Sequence, residues 1–364
     1  MPPKSVKPSR PNPHFYACIL AGGSGERFWP MSRARTPKHL LRLLSSRTLL
    51  EETARRLDGV VLPENIFVLT NEAQLEGARA ALPFIPSAQI VAEPARRDTA
   101  PAAALATALV RSRDPRGVMA LVAADAFIRD SARFASQLAS ALTWAAAHPD
   151  FLLTLGVTPT YAATGFGYLE LGEALASEGA DGEFRRVRRF VEKPDEAKAR
   201  QFLESGGFAW NASMFVWHVE AFLAEAAVHA PPLAAFIRDF PAADAAAYVA
   251  KRFSGLPKIS VDYAIMEKAA RVAALRAEFD WDDVGTWSAT AKHLPADAAG
   301  NAVRGNVVAV DATGNIAVAN GRVIALCGVS DLVVVETPDA ILVCHRDRVQ
   351  DLKKLQPLLP KEVL

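Results

Sequence analysis

The chain has 364 residues, of which 51% are hydrophobic and 22% are charged, and its formal net charge is +1. This length exceeds what one hydrophobic core usually serves, so we expect a large domain and a smaller one. The near-zero charge excludes the overall basic field typical of nucleic-acid binding. Since no apolar run reaches the roughly 20 residues of a membrane helix, no membrane segment is expected either.

The N-terminal residues 1–13, MPPKSVKPSRPNP, are rich in proline and basic residues. The apolar run that follows, FYACILA, is too short for a signal peptide and is broken at once by Gly22 and Gly23. We therefore expect a disordered arm and a cytoplasmic protein. The cysteines lack CxxC or Cys/His zinc spacing, which predicts buried thiols in a reducing compartment. They are Cys18, Cys327 and Cys344.

Short apolar runs rich in β-formers alternate with longer helical patterns through the first two-thirds of the chain. The predicted strands are FYACILA (15–21), NIFVLT (65–70), AQIVAE (88–93), VMALVAAD (118–125) and FLLTLGV (151–157). The predicted helices between them include LLEETARRLDGV, TAPAAALATALVRSR and ARFASQLASALTWAAAHP. This alternation predicts an α/β domain over residues 14–290 with a Rossmann-like, mostly parallel sheet and helices on both faces. Ligands on such sheets bind at the carboxyl ends of the strands.

After about Trp287 the pattern changes to short strands separated by Gly, Asn, Asp and Pro turns. The predicted strands are NVVAVD, NIAVA, RVIALC, LVVVE and AILVC, and DRVQDLKKL reads as a terminal helix. We expect a small C-terminal β domain over residues 291–364, either a short left-handed β-helix or a meander.

The stretch AGGSGERFWPMSRARTPKHL (21–40) follows the first predicted strand and combines glycines with positive charge. It is not a Walker A loop, because the chain contains no Gly-Lys pair, and Phe28 stands where a Rossmann fingerprint needs its third glycine. The backbone amides of Gly22, Gly23, Ser24 and Gly25 can still form an anion-binding nest. Arg27 offers a planar fork for phosphate and Lys38 a compact charge. A plain glycine turn with solvated arginines is the alternative.

This stretch resembles the signature GGxGxRLxPLT…PKxL of the nucleotide-sugar pyrophosphorylases, and FWPMSR is most similar to the mannose-1-phosphate guanylyltransferases. The resemblance continues in order through EPARRDTAPA (93–102), AADAF (123–127), TGFGYLE (164–170), FVEKP (190–194), WNASMFVW (210–217) and WDDVGTW (281–287). It implies a glycosyltransferase-A-like fold and in-line attack of a sugar 1-phosphate on the α-phosphorus of a nucleoside triphosphate. For this subgroup the substrates would be GTP and mannose 1-phosphate, and the products GDP-mannose and pyrophosphate.

The resemblance also implies the residues of the reaction centre. Arg27, Lys38 and Lys193 would act as catalytic cations, and Asp125 and Asp283 would hold Mg²⁺, which prefers a few carboxylates plus phosphate oxygens and water. Asp125 could instead be a helix N-cap or turn residue. The neighbouring Asp282 could exchange roles with Asp283.

In the sugar site that the resemblance implies, Lys193 would grip the phosphate, and Glu192 and Asn211 would bind hydroxyls. Gly165 and Gly167 would let the backbone approach the ring. The Glu-Lys pair could equally be a solvated strand end. The aromatic residues Trp210, Phe215 and Trp217 are expected in the core, and no histidine is assigned a role.

Guanine presents N1–H and an exocyclic amine, which need a carboxylate or backbone carbonyls as acceptors. The candidates are Glu93, Asp98 and the carbonyls of Leu20, Ala21 and Gly22. Arg97 and Thr99 are expected to contact the nucleotide as well, although EPARRDT could equally be a helix-capping turn.

The chain departs from the family pattern at three blocks, and these departures leave the base and sugar open. PADH becomes AADA at 123–126, WNSGM becomes WNASM with Ser213 for glycine, and EPxGRNTAP becomes EPARRDTAP with Arg96 and Asp98. Another sugar nucleotidyltransferase and a non-catalytic regulatory homologue are the alternatives, but all five charged reaction-centre residues are present, which favours catalysis. The family's habits imply a homodimer through the C-terminal β domain. They also imply a single activity, because bifunctional relatives carry a further isomerase domain.

Overall fold

The computed structural model describes residues 11–23, 25–177 and 179–364. Residues 1–10 of the predicted arm, and Ser24 of the glycine stretch, lie outside the described residues. Residues 11–13 lead into the first strand, and the Asn65 side-chain amide donates a hydrogen bond to the carbonyl of Pro13 at 2.9 Å. No helix within the described ranges is both long and apolar enough to cross a membrane.

One nine-stranded sheet forms the centre of the larger part of the molecule. Its strands are β1 (Phe15–Leu20), β2 (Ile66–Asn71), β3 (Ile90–Glu93), β4 (Val118–Ala123), β5 (Leu152–Val157), β6 (Tyr168–Ala174), β7 (Phe184–Val191), β8 (Phe208–His218) and β9 (Val272–Arg276). Their spatial order is β3-β2-β1-β4-β8-β5-β9-β7-β6. Among these described strands only β8 and β7 run against the rest, so the predicted mostly parallel sheet is confirmed. The five predicted strands are β1 to β5, with ends shifted by no more than two residues.

Helices cover both faces of this sheet, as predicted. They are α1 (Leu49–Arg55), α2 (Leu75–Ala81), α3 (Thr99–Arg113), α4 (Ser131–Ala147), α5 (Glu196–Ser205), α6 (Val219–His229), α7 (Pro231–Arg238), α8 (Ala245–Arg252) and α9 (Trp287–Ala291). Alternate side chains of β1 enter two separate cores, because successive residues of a strand point to opposite faces. Cys18 packs into the core that includes α3 and α6, whereas Ile19 packs into the core that includes α1 and α4. Trp210, Phe215 and Trp217 are buried, as predicted.

The C-terminal part is a set of short strands in two small sheets. Its elements are β10 (Ala302–Arg304), β11 (Val307–Val310), β12 (Ile316–Val318), β13 (Ile324–Cys327), β14 (Leu332–Glu336), β15 (Ile341–His345) and α10 (Leu352–Leu355). Strand β12 pairs in parallel with β10 and β14, and β11 pairs in parallel with β13. A meander would pair consecutive strands antiparallel, so of the two predicted arrangements the parallel pairing is that of a β-helix. Only β15 runs antiparallel to its described neighbour, β14.

The cysteines correct one prediction. All three are free, but only Cys18 is buried; Cys344 is partly buried and Cys327 is exposed. The reason is the alternation of side chains along β13, in which Ile324 and Leu326 face inward and Cys327 faces outward.

A shared apolar cluster joins the two parts of the chain. Phe28 and Trp29, which follow the glycine stretch, pack with Trp287, with Val318 of β12 and with Val333 of β14. The β-helix therefore packs against the segment that follows β1 and helps to fix its position.

Candidate active site

Two adjoining cavities lie where β1 and β4 end. The first has a volume of about 410 Å³ and contacts Arg27, Gly165, Gly167, Glu192, Lys193 and Asp283. The second has a volume of about 440 Å³ and contacts Leu20, Gly22, Glu93, Arg97, Asp98 and Thr99. Both are lined by Gly25, Lys38, Ala123, Asp125 and Ser213. The structure thus gathers most predicted site residues around one junction at the carboxyl edge of the sheet, where open α/β sheets bind ligands.

Lys38 occupies that junction. Its side chain is buried, with 6% of the residue exposed, and its Nζ donates hydrogen bonds to Asp125 Oδ2 at 3.0 Å and to the backbone carbonyl of Asp283 at 2.5 Å. Gly25 allows this approach, since a Cβ at position 25 would lie 2.5 Å from Lys38 Cβ, and its φ of +64° also favours glycine. The end of the glycine stretch therefore packs directly on the lysine.

The two neighbouring aspartates of WDDVGTW face different surroundings. Asp283 lines the first cavity; burial raises its pKa, the nearby Asp282 and Asp125 carboxylates raise it further, and Lys38 opposes the shift. Asp282 instead accepts a hydrogen bond from the Val284 amide at 2.8 Å and pairs with His293 Nε2 at 2.9 Å. The structure therefore brings Asp283, rather than Asp282, into the lining of the first cavity together with Asp125.

Arg27 lines the first cavity and Arg97 lines the second, and each has a buried Nε without a hydrogen-bond partner among the described residues. Arg27 is held from its other end, because its Nη1 donates to the carbonyl of Gly285 at 3.4 Å. A buried donor left unpaired is costly, so both guanidinium groups have unused hydrogen-bonding capacity beside the cavities.

The far end of the first cavity combines an acid and a base from the FVEKP block. Glu192 is nearly buried and forms an ion pair with Lys193, whose side chain is 59% exposed. Gly167 makes room for this carboxylate, because a Cβ there would lie 2.5 Å from Glu192 Oε2. The amide N–H of Asn211 donates to the carbonyl of Gly167 at 2.8 Å, which brings these blocks together.

The Asn211 side chain is fixed by a residue that the sequence analysis missed. Its Nδ2 donates to Asp262 Oδ1 at 3.0 Å, while its Oδ1 accepts from Thr154 Oγ1 at 2.9 Å and from the Ser213 amide at 3.2 Å. Burial raises the pKa of Asp262 to about 6, and the residue lines the second cavity. Its signal was a lone acid within the apolar run SVDYAIM.

Residues of the EPARRDT block line the second cavity, and the block also caps helix α3. Asp98 caps α3 by accepting from the Thr99 amide at 2.8 Å, yet both residues line the cavity. Burial raises the pKa of Glu93 to about 8. Ala21 does not line either cavity; it is buried, and its carbonyl accepts from Thr70 Oγ1 at 2.9 Å.

His39 is a second residue that the sequence analysis missed. It is buried beside Lys38, lines the second cavity, and its Nε2 has no hydrogen-bond partner within the described ranges. Burial lowers the pKa of His39 to about 4, so the ring is neutral at physiological pH. Its signal was its place in the TPKHL block, directly after the lysine that the sequence analysis singled out.

The structure thus combines an α/β sheet with two cavities at the carboxyl edge of its strands, and the cavities share a lysine and an aspartate. Residues 16–299 match the Nucleotidyl transferase family, and residues 305–357 match the MannoseP isomerase/GMP-like beta-helix domain. The chain therefore belongs to the nucleotidyl transferase family.

Named relatives cover nearly the whole chain. The alginate biosynthesis protein AlgA of Pseudomonas syringae pv. tomato is 35% identical over 351 residues, which are 94% of this chain and 71% of the relative. A mannose-1-phosphate guanylyltransferase of Klebsiella pneumoniae is 35% identical over 342 residues, 92% of this chain and 72% of the relative. The crystal structure named mannose-1-phosphate geranyltransferase from Thermus thermophilus superposes with a TM-score of 0.85 at 33% identity, covering 95% of this chain and 99% of its own.

Proposed function

We propose that this protein is a mannose-1-phosphate guanylyltransferase, which forms GDP-mannose and pyrophosphate from GTP and mannose 1-phosphate. The observation that carries the proposal is the meeting of two ligand cavities at Lys38 and Asp125. A reaction between two bound phosphates needs such a junction, because positioning supplies much of the rate acceleration. The name of the Klebsiella pneumoniae relative supports this choice of base and sugar.

In this proposal GTP occupies the second cavity. The ionised Glu93 carboxylate accepts hydrogen bonds from guanine N1–H and the exocyclic amine, with the Leu20 and Gly22 carbonyls nearby as further acceptors. Uracil and thymine lack this pair of donors, so one carboxylate can discriminate between the bases. Arg97 supplies its unpartnered Nε to the nucleotide.

Mannose 1-phosphate occupies the far end of the first cavity. Lys193 contacts its phosphate, while Glu192 and Asn211 bind the sugar hydroxyls. Asp262 acts as a positioning residue, since it holds the amide of Asn211 in one orientation. The backbone at Gly165 and Gly167 forms the wall against which the ring lies.

The chemical step is a single displacement at the α-phosphorus of GTP. An oxygen of the sugar phosphate forms the new bond to phosphorus while the bond to the bridging oxygen of the β-phosphate breaks, and pyrophosphate leaves with that bond's electron pair. Arg27 and Lys38 lie where negative charge builds up on the phosphoryl and departing groups, and fixed cations in such positions stabilise the transition state.

We also propose Mg²⁺ as the metal, held by Asp125 and Asp283. The residues fit the ion: both carboxylates line the first cavity, and burial together with the Asp282 and Asp125 carboxylates raises the pKa of Asp283, so a bound cation would offset negative charge gathered there. When bound, the ion would neutralise phosphate charge and fix the geometry of the reacting oxygens.

The test is a matrix of GTP, ATP, UTP and dTTP against mannose, glucose and galactose 1-phosphates with Mg²⁺, read as pyrophosphate release. GTP with mannose 1-phosphate should give the highest kcat/KM, and a tenfold preference corresponds to about 1.4 kcal/mol. Best turnover with another pair of substrates would change the assigned base or sugar specificity but leave the assigned reaction class intact. Binding without turnover of any pair would favour a regulatory homologue.

A homodimer through the β-helix and a cytoplasmic location belong to the proposal. The outward face of β11 and β13 is apolar: Val308 and Val310 are exposed, and each lies beside a β13 residue, Ala325 and Cys327 respectively. Such a face is suited to a self-complementary contact. The three free cysteines agree with a reducing compartment.

A further inference from the structure

The C-terminal helix of the β-helix domain returns to the reaction cleft. Lys353, in α10, lines the first cavity together with Arg27 and Lys38, although more than 300 residues separate it from both. The cavity otherwise draws its lining from the α/β part, so Lys353 is a contribution of the second domain to the site. No motif of the family resemblance reaches this position.

The position of α10 is fixed by packing and hydrogen bonds. Leu352 is buried in the same apolar cluster as Phe28 and Trp287. Gln356 Nε2 donates to the carbonyl of Glu26 at 3.2 Å, and Trp29 Nε1 donates to the carbonyl of Val363 at 2.8 Å. Because these contacts grip the turn that carries Arg27, Lys353 is held beside that arginine.

Charge distinguishes Lys353 from its neighbour. Lys354 forms an ion pair with Asp351 at 2.6 Å, whereas Lys353 makes no ion pair with any carboxylate in the described part of the chain. Arg27, Lys38 and Lys353 all line the cavity, and Lys38 pairs with Asp125 at 3.0 Å. Arg27 and Lys353 form no ion pair with a carboxylate of the described residues, and the buried Arg27 Nε has no hydrogen-bond partner among them. Cations left without a carboxylate partner beside a cavity are suited to bind an anionic ligand.

We propose that Lys353 binds the β- and γ-phosphates of the nucleotide and the pyrophosphate that departs, so that the β-helix domain supplies part of the leaving-group site. The inference rests on the proposed function for the identity of the reaction. It assigns the part of the first cavity that Arg27 lines to the leaving group and the part that Lys193 lines to the sugar phosphate. It also makes the second domain a participant in phosphate binding.

The experiment compares full-length Lys353→Ala with the matched control Lys354→Ala. Affinity for inorganic pyrophosphate with Mg²⁺ is measured by calorimetry at two salt concentrations, and KM is measured for each substrate. Lys353→Ala should weaken pyrophosphate binding about tenfold, reduce its salt dependence and raise the KM for the nucleotide, with the KM for the sugar phosphate unchanged. Lys354→Ala should match the parent protein.

Wild-type pyrophosphate affinity in Lys353→Ala, or an equal loss in Lys354→Ala, would overturn the inference. A change confined to the KM of the sugar phosphate would also overturn it, since that would place Lys353 at the sugar phosphate rather than at the leaving group. Because pyrophosphate binding depends on neither base nor sugar, a failure of the guanylyltransferase assignment would appear separately, as poor turnover of GTP with mannose 1-phosphate by the parent protein.

Discussion

Lys38 Nζ lies 3.0 Å from Asp125 Oδ2 and 2.5 Å from the backbone carbonyl of Asp283, so one ammonium joins the turn after β4 to the segment before α9. These two hydrogen bonds span 87 and 245 positions of the chain. In the proposed reaction centre the lysine therefore holds these two segments together as well as supplying charge, and its removal should disturb both aspartates.

Substitution of Lys38 and of Lys193 should affect the use of different substrates. We expect Lys38→Ala to raise the KM for GTP and lower kcat, because Lys38 lies at the junction with the nucleotide cavity. Lys193→Ala should chiefly raise the KM for mannose 1-phosphate, since Lys193 lines only the first cavity. Steady-state kinetics with each substrate varied in turn measures both effects. Loss of nucleotide binding alone in Lys193→Ala would contradict the assignment.

Asp125→Asn and Asp283→Asn should each lower kcat about a hundredfold or more, or on the order of 3 kcal/mol, because each removes a carboxylate from the proposed Mg²⁺ site. Turnover measured across a range of Mg²⁺ concentrations checks this, and excess Mg²⁺ should restore part of the activity.

The control for these two variants is Asp282→Asn, whose carboxylate binds the Val284 amide and His293. Asp282→Asn should lower the thermal midpoint of unfolding, while the folded protein should keep most of its kcat. A fully stable Asp282→Asn without activity, beside an active Asp283→Asn, would show that the two aspartates have been assigned the wrong way round.

Binding of GTP should depend on pH through Glu93. With a pKa raised to about 8 in the free protein, this carboxyl is protonated at pH 6, and guanine requires the ionised form. Affinity for GTP should therefore rise between pH 6 and 8, approaching tenfold per pH unit, and Glu93→Gln should lack that rise. Calorimetry of both proteins with the same ligand isolates the contribution, because the titration of GTP itself cancels. Parallel pH profiles would count against Glu93 as the acceptor.

The raised pKa of Glu93 also makes the free energy of unfolding depend on pH. The folded protein keeps the proton of Glu93 up to about pH 8, whereas the unfolded chain releases it near pH 4.5. The folded state thus binds more protons in this interval, so the free energy of unfolding contributed by this group falls as pH rises from about 4.5 to 8. Denaturation of Glu93→Gln should show a weaker decline over that range than the parent protein does.

Ser213→Gly should stabilise the protein by about 1 kcal/mol, because Ser213 has a φ of +53°, in the left-handed region that costs a non-glycine residue strain. The substitution keeps the Ser213 amide that donates to Asn211. The same change at Ser136, inside α4, should cost about 0.5–1 kcal/mol, since glycine weakens a helix interior. Urea denaturation of both variants checks the opposite signs, and equal destabilisation would rule out strain at Ser213.

Charged side chains introduced on the exposed face of β11 should dissociate the proposed dimer. Val308→Lys with Val310→Lys places two cations on the exposed apolar surface, and the species should shift to a monomer in sedimentation velocity. The control is Val343→Lys, which lies on β15 in the other small sheet and should leave the dimer intact. A parent protein that is already monomeric at micromolar concentration would reject the dimer.

Local patterns were sufficient for the first half of the fold. The predicted helix TAPAAALATALVRSR is α3 without a shifted residue, and the first five strands were found because apolar runs bounded by turn residues are a local signal. Strands β6 to β9 were not predicted. Of these, β7, FRRVRRFV, carries four arginines and lacks a clear apolar run. Three of them form ion pairs: Arg185 with Glu183, Arg188 with Glu173 and Arg189 with Glu170. The last two pairs join β7 to the neighbouring edge strand β6, and such pairing is visible only in the folded sheet.

The sequence by itself determined the candidate residues for the chemistry, since Arg27, Lys38, Asp125, Lys193 and Asp283 all stand in short motifs whose residue types suit phosphate and metal. Only the tertiary structure decided how they are arranged. It turned Asp283 rather than Asp282 to the first cavity, bound the Ala21 carbonyl to Thr70, and placed Asp262 on Asn211 and Lys353 in the same cavity lining as Arg27. Each of these contacts joins residues far apart in the chain or depends on which way a side chain points, and neither property is encoded in local periodicity or motif spacing.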